Sequence, residues 1–152
     1  MPPEPTTASL PEPSADFEAF LHAAVAADRR QPTHERLRHR LLAQLWESGE
    51  AGDGNAVDII REGESGTHLF EVLHAQQPAY SDLPEAATRT AEIRFSLGRP
   101  VDRVFLVCAA APTEPWAIAA VEGAFGVSAI WWENGAWHGT DADAAVPPPR
   151  RE

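Results

Sequence analysis

The chain has 152 residues, a formal net charge of −11, one cysteine and no lysine, since all 12 of its basic residues are arginines. This length suits one domain, and the absence of lysine excludes sites that need a side-chain amine, such as a P-loop lysine or a Schiff base. The negative charge argues against sequence-independent binding to nucleic acid, because such binding needs basic side chains that displace counterions from phosphates.

Both ends of the sequence are rich in proline and poor in apolar side chains. Residues 1–13 contain five prolines, and residues 141–152 include three in succession. Such segments bury too little apolar surface to pack against a core. The sequence therefore predicts a disordered arm over 1–13, one folded domain over 14–140 and a disordered tail over 141–152.

The sequence carries no signal for secretion or for membrane insertion. Its first residues lack a basic region followed by an apolar one, and no apolar run approaches the roughly 18 residues that cross a bilayer. The single Cys108 cannot form an internal disulfide, which is typical of a reducing compartment. We expect a cytoplasmic protein that does not associate with membranes.

Two helices are predicted first. Ser14 is a candidate N-cap for a helix that ends before Pro32, and Thr33 is a candidate N-cap for the next. The second helix carries one apolar stripe, formed by Leu37, Leu41, Leu42, Leu45 and Trp46. The glycine-rich run 49–55 stops it.

A β-hairpin follows, because the apolar period changes from helical spacing to that of strands. Residues 56–61 and 68–74 are typical of strands, and the turn between them contains Gly63 and Gly66.

The rest of the sequence alternates helices and strands. A helix is expected from Asp82 to Leu97, a buried strand over 101–109, and a helix from Thr113 that ends at Gly126. A strand over 127–132 then leads into an Asn134-Gly135 turn and a short strand. This order predicts an α/β fold, a three-layer sandwich in which helices cover both faces of a mixed sheet.

The hairpin places two carboxylates opposite each other. With the turn centred on residues 63–66, Glu62 faces Thr67, Ile60 faces Leu69, and Asp58 faces Glu71. Side chains paired in this way have Cβ atoms only about 5 Å apart, and like charges there repel. A cation between them, a proton on one of them, or full solvation relieves the repulsion.

This pattern of elements and acids resembles the PD-(D/E)xK nuclease superfamily, whose fold is restriction-endonuclease-like. The resemblance covers residues 33–132 and implies that Asp58 and Glu71 bind a divalent metal such as Mg²⁺. It also implies a further acid at Glu35, and a lysine two residues after the glutamate that helps to activate the attacking water. That position is Leu73, and the chain has no lysine to replace it.

The favoured hypothesis is therefore a degenerate, non-catalytic nuclease-like domain, which acts as a protein-interaction or regulatory module and needs no cofactor. It expects a protein partner and no nucleic acid, and leaves the oligomeric state open. The alternative is a metal-dependent phosphodiesterase that acts on nucleic acid through Asp58 and Glu71. A small-molecule pocket at the carboxyl ends of the strands is a third hypothesis. An exposed tryptophan near the last hairpin, Trp131 or Trp132, would suit a protein partner.

Overall fold

The computed structural model describes residues 14–48, 51–52, 58–63 and 66–146. The predicted arm over 1–13 lies outside these residues, as does most of the predicted 49–55 stop. The predicted α/β class and the mixed sheet are both confirmed.

The first two helices are α1 (Ala15–Asp28) and α2 (Pro32–Ser48). Ser14 is the N-cap of α1, as predicted, and its Oγ accepts a hydrogen bond of 3.2 Å from the backbone N–H of Phe17. The second helix begins at Pro32, one residue before the predicted cap, because proline has no N–H to lose and its fixed φ suits the first helical turn. Thr33 therefore lies inside α2 and does not cap it.

A six-stranded mixed sheet forms the centre of the molecule, with its strands in chain order. The strands are β1 (Ala51–Gly52), β2 (Ile59–Gly63), β3 (Gly66–Val72), β4 (Arg103–Cys108), β5 (Ser128–Glu133) and β6 (Ala136–His138). The pairs β3–β4 and β4–β5 are parallel, whereas the outer pairs are antiparallel. Because parallel neighbours need a crossover, a helix follows each of β3 and β4.

These crossover helices are α3 (Asp82–Leu97) and α4 (Ala117–Phe125). Both end as predicted, at Gly98 and Gly126, whose positive φ angles of 63° and 68° favour glycine. The predicted start of α4 at Thr113 is wrong, since the helix begins four residues later, at Ala117. The hydroxyl of Thr113 donates to the Glu114 carboxylate instead of capping the helix.

The predicted tail begins too early. Residues Ala142–Ala145 form a short helix, α5, and both of these alanines are buried. Alanine loses no side-chain entropy on burial, so even a segment this short can pack against the sheet. The folded part thus extends beyond residue 140, and residues 147–152 of the predicted tail lie outside the described residues.

Two apolar clusters divide the core between the faces of the sheet. Successive side chains of β4 point to opposite faces and therefore enter different clusters. The first cluster contains Val104, Leu106 and Cys108, and the second contains Phe105 and Val107. Helices α1, α3 and α4 contribute to the first cluster, and α2 and α5 contribute to the second. The connection between α1 and α2 therefore passes over one end of the sheet.

None of the helices in the described part of the chain is long and apolar enough to cross a lipid bilayer.

Candidate functional site

The β2–β3 hairpin has the predicted register. Ile60 pairs with Leu69, and Glu62 pairs with Thr67. Asp58 lies two residues before Ile60, in a bend that precedes β2. Its Oδ2 accepts a hydrogen bond of 2.8 Å from the backbone N–H of Val72. This contact holds the Asp58 carboxyl beside that of Glu71, close enough for the two groups to interact electrostatically.

Both carboxyls of this pair are buried, with exposed fractions of 1% for Asp58 and 6% for Glu71. His34, near the start of α2, is completely buried against them, and its Nε2 lies 3.0 Å from Asp58 Oδ1. Among the described residues, neither this oxygen nor either ring nitrogen of His34 has an aligned hydrogen bond. We call Asp58, Glu71 and His34 the buried acidic cluster.

Burial raises the pKa of Glu71 well above its ordinary value, and the neighbouring charges of Asp58 and Asp28 act in the same direction. The guanidinium of Arg89 opposes this shift without cancelling it. The raised pKa favours the protonated form of Glu71 relative to an exposed glutamate. Of the three ways to relieve the repulsion between the two carboxyls, this direction favours a proton on one of them.

Asp28, the last residue of α1, is the third acid near this cluster. Burial raises its pKa, with the charge of Asp58 next in importance, whereas His34 and Arg89 lower it. Sequence reasoning missed both Asp28 and His34 as neighbours of Asp58. The sequence signal that could have indicated them is their position on either side of Pro32, where α1 ends and α2 begins.

Glu35, the further acid that the resemblance implied, is engaged by side chains of its own helix. Its carboxylate binds the Arg38 guanidinium, with Oε2 at 2.8 Å from Nη2, and also lies 3.1 Å from His39 Nε2. Partial burial raises the pKa of Glu35, but the hydrogen bond and the positive charge of Arg38 lower it, and the net pKa lies below the ordinary value. The residue of α2 that contacts Asp58 is His34, one position earlier in the chain.

Leu73, at the lysine position of the resemblance, belongs to the first apolar cluster and is 6% exposed. Its backbone N–H donates to the carbonyl of Val107 at 2.9 Å, which continues the β3–β4 ladder by one residue. Hydrocarbon therefore fills the space beside Glu71 where the resemblance implies an ammonium group.

A cavity opens to solvent beside Glu71 and has a volume of about 490 Å³, its mouth included. Arg89, from α3, lines this cavity and places a positive charge near Leu73. The two residues are far apart in sequence, so the sequence did not indicate that they are neighbours. The cavity is lined by Asp28, Glu71, Val72, Leu73, His74, Ala75, Asp82, Glu85, Ala86 and Arg89. Four of these ten side chains are acids, so the cavity is mainly acidic.

A Mg²⁺ ion needs several ionised oxygen ligands in a near-octahedral arrangement. The raised pKa of Glu71 disfavours its ionised form, and Asp58 Oδ2 already accepts a hydrogen bond from the backbone of Val72. Within residues 14–48, 51–52, 58–63 and 66–146, no three His, Cys, Asp or Glu side chains are arranged to hold a metal ion.

Cys108 is buried in the first cluster, and burial raises the pKa of its thiol to about 12, with a smaller effect from Asp82. The thiol form therefore dominates at neutral pH, as expected for a packing residue.

Trp131 and Trp132 point to opposite faces, as predicted, and each packs partly buried against one of the clusters. Among the tryptophan side chains that the structure describes, the exposed one is Trp116, just before α4, with an exposed fraction of 58%.

Comparison of the chain with protein-family models finds no match, and comparisons with curated proteins and with solved structures find none either. The resemblance to the PD-(D/E)xK superfamily therefore depends on the order of elements and on the placement of Asp58, Glu71 and Leu73.

Proposed function

We propose that this protein is a non-catalytic domain of the restriction-endonuclease-like type, which acts as a protein-interaction or regulatory module in the cytoplasm. The observation that carries the proposal is the state of the acidic pair. Glu71 is buried beside Asp58, its pKa is raised well above the ordinary value, and Leu73 fills the adjacent space.

The chemistry of phosphodiester hydrolysis explains why this state matters. A metal-dependent nuclease needs ionised carboxylates to hold the metal, and a base or cation to activate water and to stabilise the charge that develops on the phosphate. Removal of one such group typically lowers the rate by about 100-fold or more. In this cluster burial disfavours the ionised form of Glu71, and the position of the ammonium group is apolar.

The distribution of helices supports a three-layer sandwich. The first cluster receives α1, α3 and α4, and the second receives α2 and α5. An antiparallel hairpin, a crossover helix and two parallel strands follow the first pair of helices. This order is the one that the resemblance implies for a restriction-endonuclease-like core.

The charge of the chain supports a protein partner in preference to nucleic acid. A net charge of −11 without lysine repels a phosphate backbone. The buried thiol of Cys108, the one cysteine of the chain, is compatible with the reducing cytoplasm that we propose.

One observation favours the alternative, a metal-dependent phosphodiesterase. Arg89 lines the cavity beside Glu71 and lowers its pKa, so it brings a positive charge to the side of the pair that lacks lysine. Arginine remains protonated at neutral pH, however, and is therefore a poor base.

An activity assay decides between the two. The full chain with Mg²⁺ or Mn²⁺ is incubated with single- and double-stranded DNA and RNA, and we expect every substrate to remain intact. Cleavage that Glu71→Gln abolishes would overturn the proposal. The matched control is Glu85→Gln, which removes an acid from the exposed rim of the same cavity. Cleavage that survives Glu71→Gln would come from a contaminant and leave the proposal standing.

A further inference from the structure

An aromatic ledge lies on the loops that follow the carboxyl ends of β3 and β4. It consists of Tyr80 and Trp116, whose ring centroids are 4.8 Å apart with an angle of 43° between the planes. Trp116 is the most exposed large apolar side chain in the described part of the chain, at 58%. Tyr80 is partly buried against the first apolar cluster, so the pair presents the exposed Trp116 ring on a fixed base. Aromatic-lined surfaces of this kind are the ones on which proline rings pack in the recognition of proline-rich segments.

Hydrogen bonds between the two loops hold the ledge in place. The backbone N–H of Tyr80 donates to Glu114 Oε2 at 3.0 Å, and the N–H of Thr113 donates to the carbonyl of Pro78 at 3.0 Å. A preformed surface loses little conformational entropy when a ligand binds. The ledge is therefore a rigid platform even though it belongs to loops.

The surroundings of the ledge are acidic. Glu114 contacts its backbone, and hydrogen bonds from Thr113 and Tyr80 lower the pKa of that carboxyl despite a small opposing effect of desolvation. Asp82 accepts from the N–H of Ala79, beside Tyr80, and also lines the acidic cavity together with Glu85. The ledge and the cavity therefore share an edge at Asp82, and a ligand that covers both must combine apolar rings with positive charge.

The chain itself contains a segment with this chemistry. Residues 147–151 have the sequence Pro-Pro-Pro-Arg-Arg. A run of prolines favours the polyproline II conformation, which is already ordered before binding. Arginine pairs with carboxylates and also stacks on tryptophan.

The same molecule cannot bring this segment to its own ledge. Asp141 binds Ser128 and Arg103, the first residues of β5 and β4, so α5 lies at the amino ends of these strands. Trp116 lies beyond the carboxyl end of β4, about 20 Å away along a six-residue strand. Three prolines span only about 9 Å from Val146, and α5 packs on the second cluster, across the sheet from α4.

We propose that the ledge of one molecule binds the segment 147–152 of a second copy of this chain. The prolines pack on Tyr80 and Trp116, and the arginines face Asp82, Glu85 and Glu114. The inference rests on the proposed function, since it names the surface and the partner of an interaction module. Because ledge and segment are different surfaces, the contact is heterologous and can add one molecule after another.

A complementation experiment tests this arrangement with full-length chains. Sedimentation equilibrium should show self-association of the wild type that weakens as ionic strength rises. Trp116→Ala removes the ledge, and the double substitution Arg150→Ala with Arg151→Ala removes the charge of the segment. We expect each variant alone to associate at least about tenfold more weakly, since aromatic and arginine anchors dominate such interfaces.

Mixing the two variants gives the sharpest result. One retains an intact segment and the other an intact ledge, so the mixture should form a 1:1 complex with the wild-type affinity for a single contact. The matched control is Phe125→Ala, which removes another exposed aromatic side chain, at the far end of α4. It should associate like the wild type.

Three results would overturn the inference: a wild type that remains monomeric up to ~1 mM, where contacts worth about 4 kcal/mol are half formed; equal effects of Trp116→Ala and Phe125→Ala; or variants that do not complement each other. None of these would affect the proposed function, which fails instead if the full chain cleaves nucleic acid through Glu71.

Discussion

The two ends of the central sheet both hold small groups of polar side chains, but in opposite surroundings. At the carboxyl end of β3, the buried acidic cluster places Asp58 and His34 together with exposed fractions of 1% and 0%. At the amino ends of β4 and β5, Arg103 Nη2 lies 2.7 Å from Asp141 Oδ2, and these side chains are more than one-third exposed.

We call Arg103 and Asp141 the exposed ion-pair network, and the buried Ser128 lies beside them. Its geometry is good, since the Ser128 hydroxyl also donates to Asp141 at 2.9 Å, yet water screens it and limits its contribution to stability. In the buried acidic cluster, a missing partner leaves a polar group where water cannot replace it. The comparison shows that burial, more than the number or length of contacts, decides how strongly a polar group affects folding.

The largest effect is expected for Asp58→Ala. This change removes the acceptor of the Val72 N–H. It also leaves the His34 ring and the Glu71 carboxyl without the carboxylate that lies beside them. Removal of one member of a buried pair typically costs about 3–5 kcal/mol. Urea unfolding of wild type and variant measures the difference. A loss below about 1 kcal/mol would mean that the cluster is effectively solvated, and the contrast between the two ends would disappear.

The second prediction concerns pH and Glu71→Gln. Because the pKa of Glu71 is raised by burial, the folded chain binds more protons than the unfolded chain once the pH exceeds the ordinary value of 4.5. The contribution of Glu71 to stability is therefore fully present below 4.5 and is lost as pH rises through the raised pKa. The slope is at most about 1.4 kcal/mol per pH unit for one group.

Glutamine keeps a hydrogen-bond donor but cannot ionise. The unfolding free energy of Glu71→Gln should thus fall less than that of the wild type between about pH 5 and pH 8, as measured by urea titration at a series of pH values. Asp28, whose pKa is also raised, contributes a fall of the same sign in both proteins and cancels in their difference. Glu85→Gln, on the cavity rim, serves as the control. Parallel curves for wild type and Glu71→Gln would contradict a buried proton.

The smallest effect is expected for Asp141→Ala in the exposed ion-pair network. Solvent-exposed pairs contribute up to about 1 kcal/mol, so the midpoint of urea unfolding should move only slightly and should move less at high salt. A loss as large as that of Asp58→Ala would show that Asp141 holds α5 against the sheet by more than an ion pair.

Much of the fold could be predicted because its signals are local. The Asn134-Gly135 turn, in which both residues have positive φ angles, joins β5 to β6 as predicted. The glycines at 98 and 126 end their helices for the same conformational reason. The starts of α2 and α4 were less accurate, because a threonine hydroxyl caps a helix only if no nearer partner takes it, as Glu114 does for Thr113.

The candidate site was predictable only in part. The register of the hairpin followed from its turn, and with it the meeting of Asp58 and Glu71. The role of Glu35 stays a prediction of the resemblance: Arg38, one turn later, binds the Glu35 side chain, and the α2 residue that contacts Asp58 is His34. The predicted domain ended too early because the two buried alanines of α5 carry too weak an apolar signal to reveal this helix.

The sequence by itself determined the kind and order of the elements and the pairing of two acids, because caps, turns and strand periodicity act between near neighbours. It also determined that no amine stands beside them. Only the tertiary structure decided that burial raises the pKa of Glu71 and that His34, Asp28 and Arg89 lie near this pair. Those residues come from three helices, and their approach depends on how the helices pack over the end of the sheet, which no local pattern encodes.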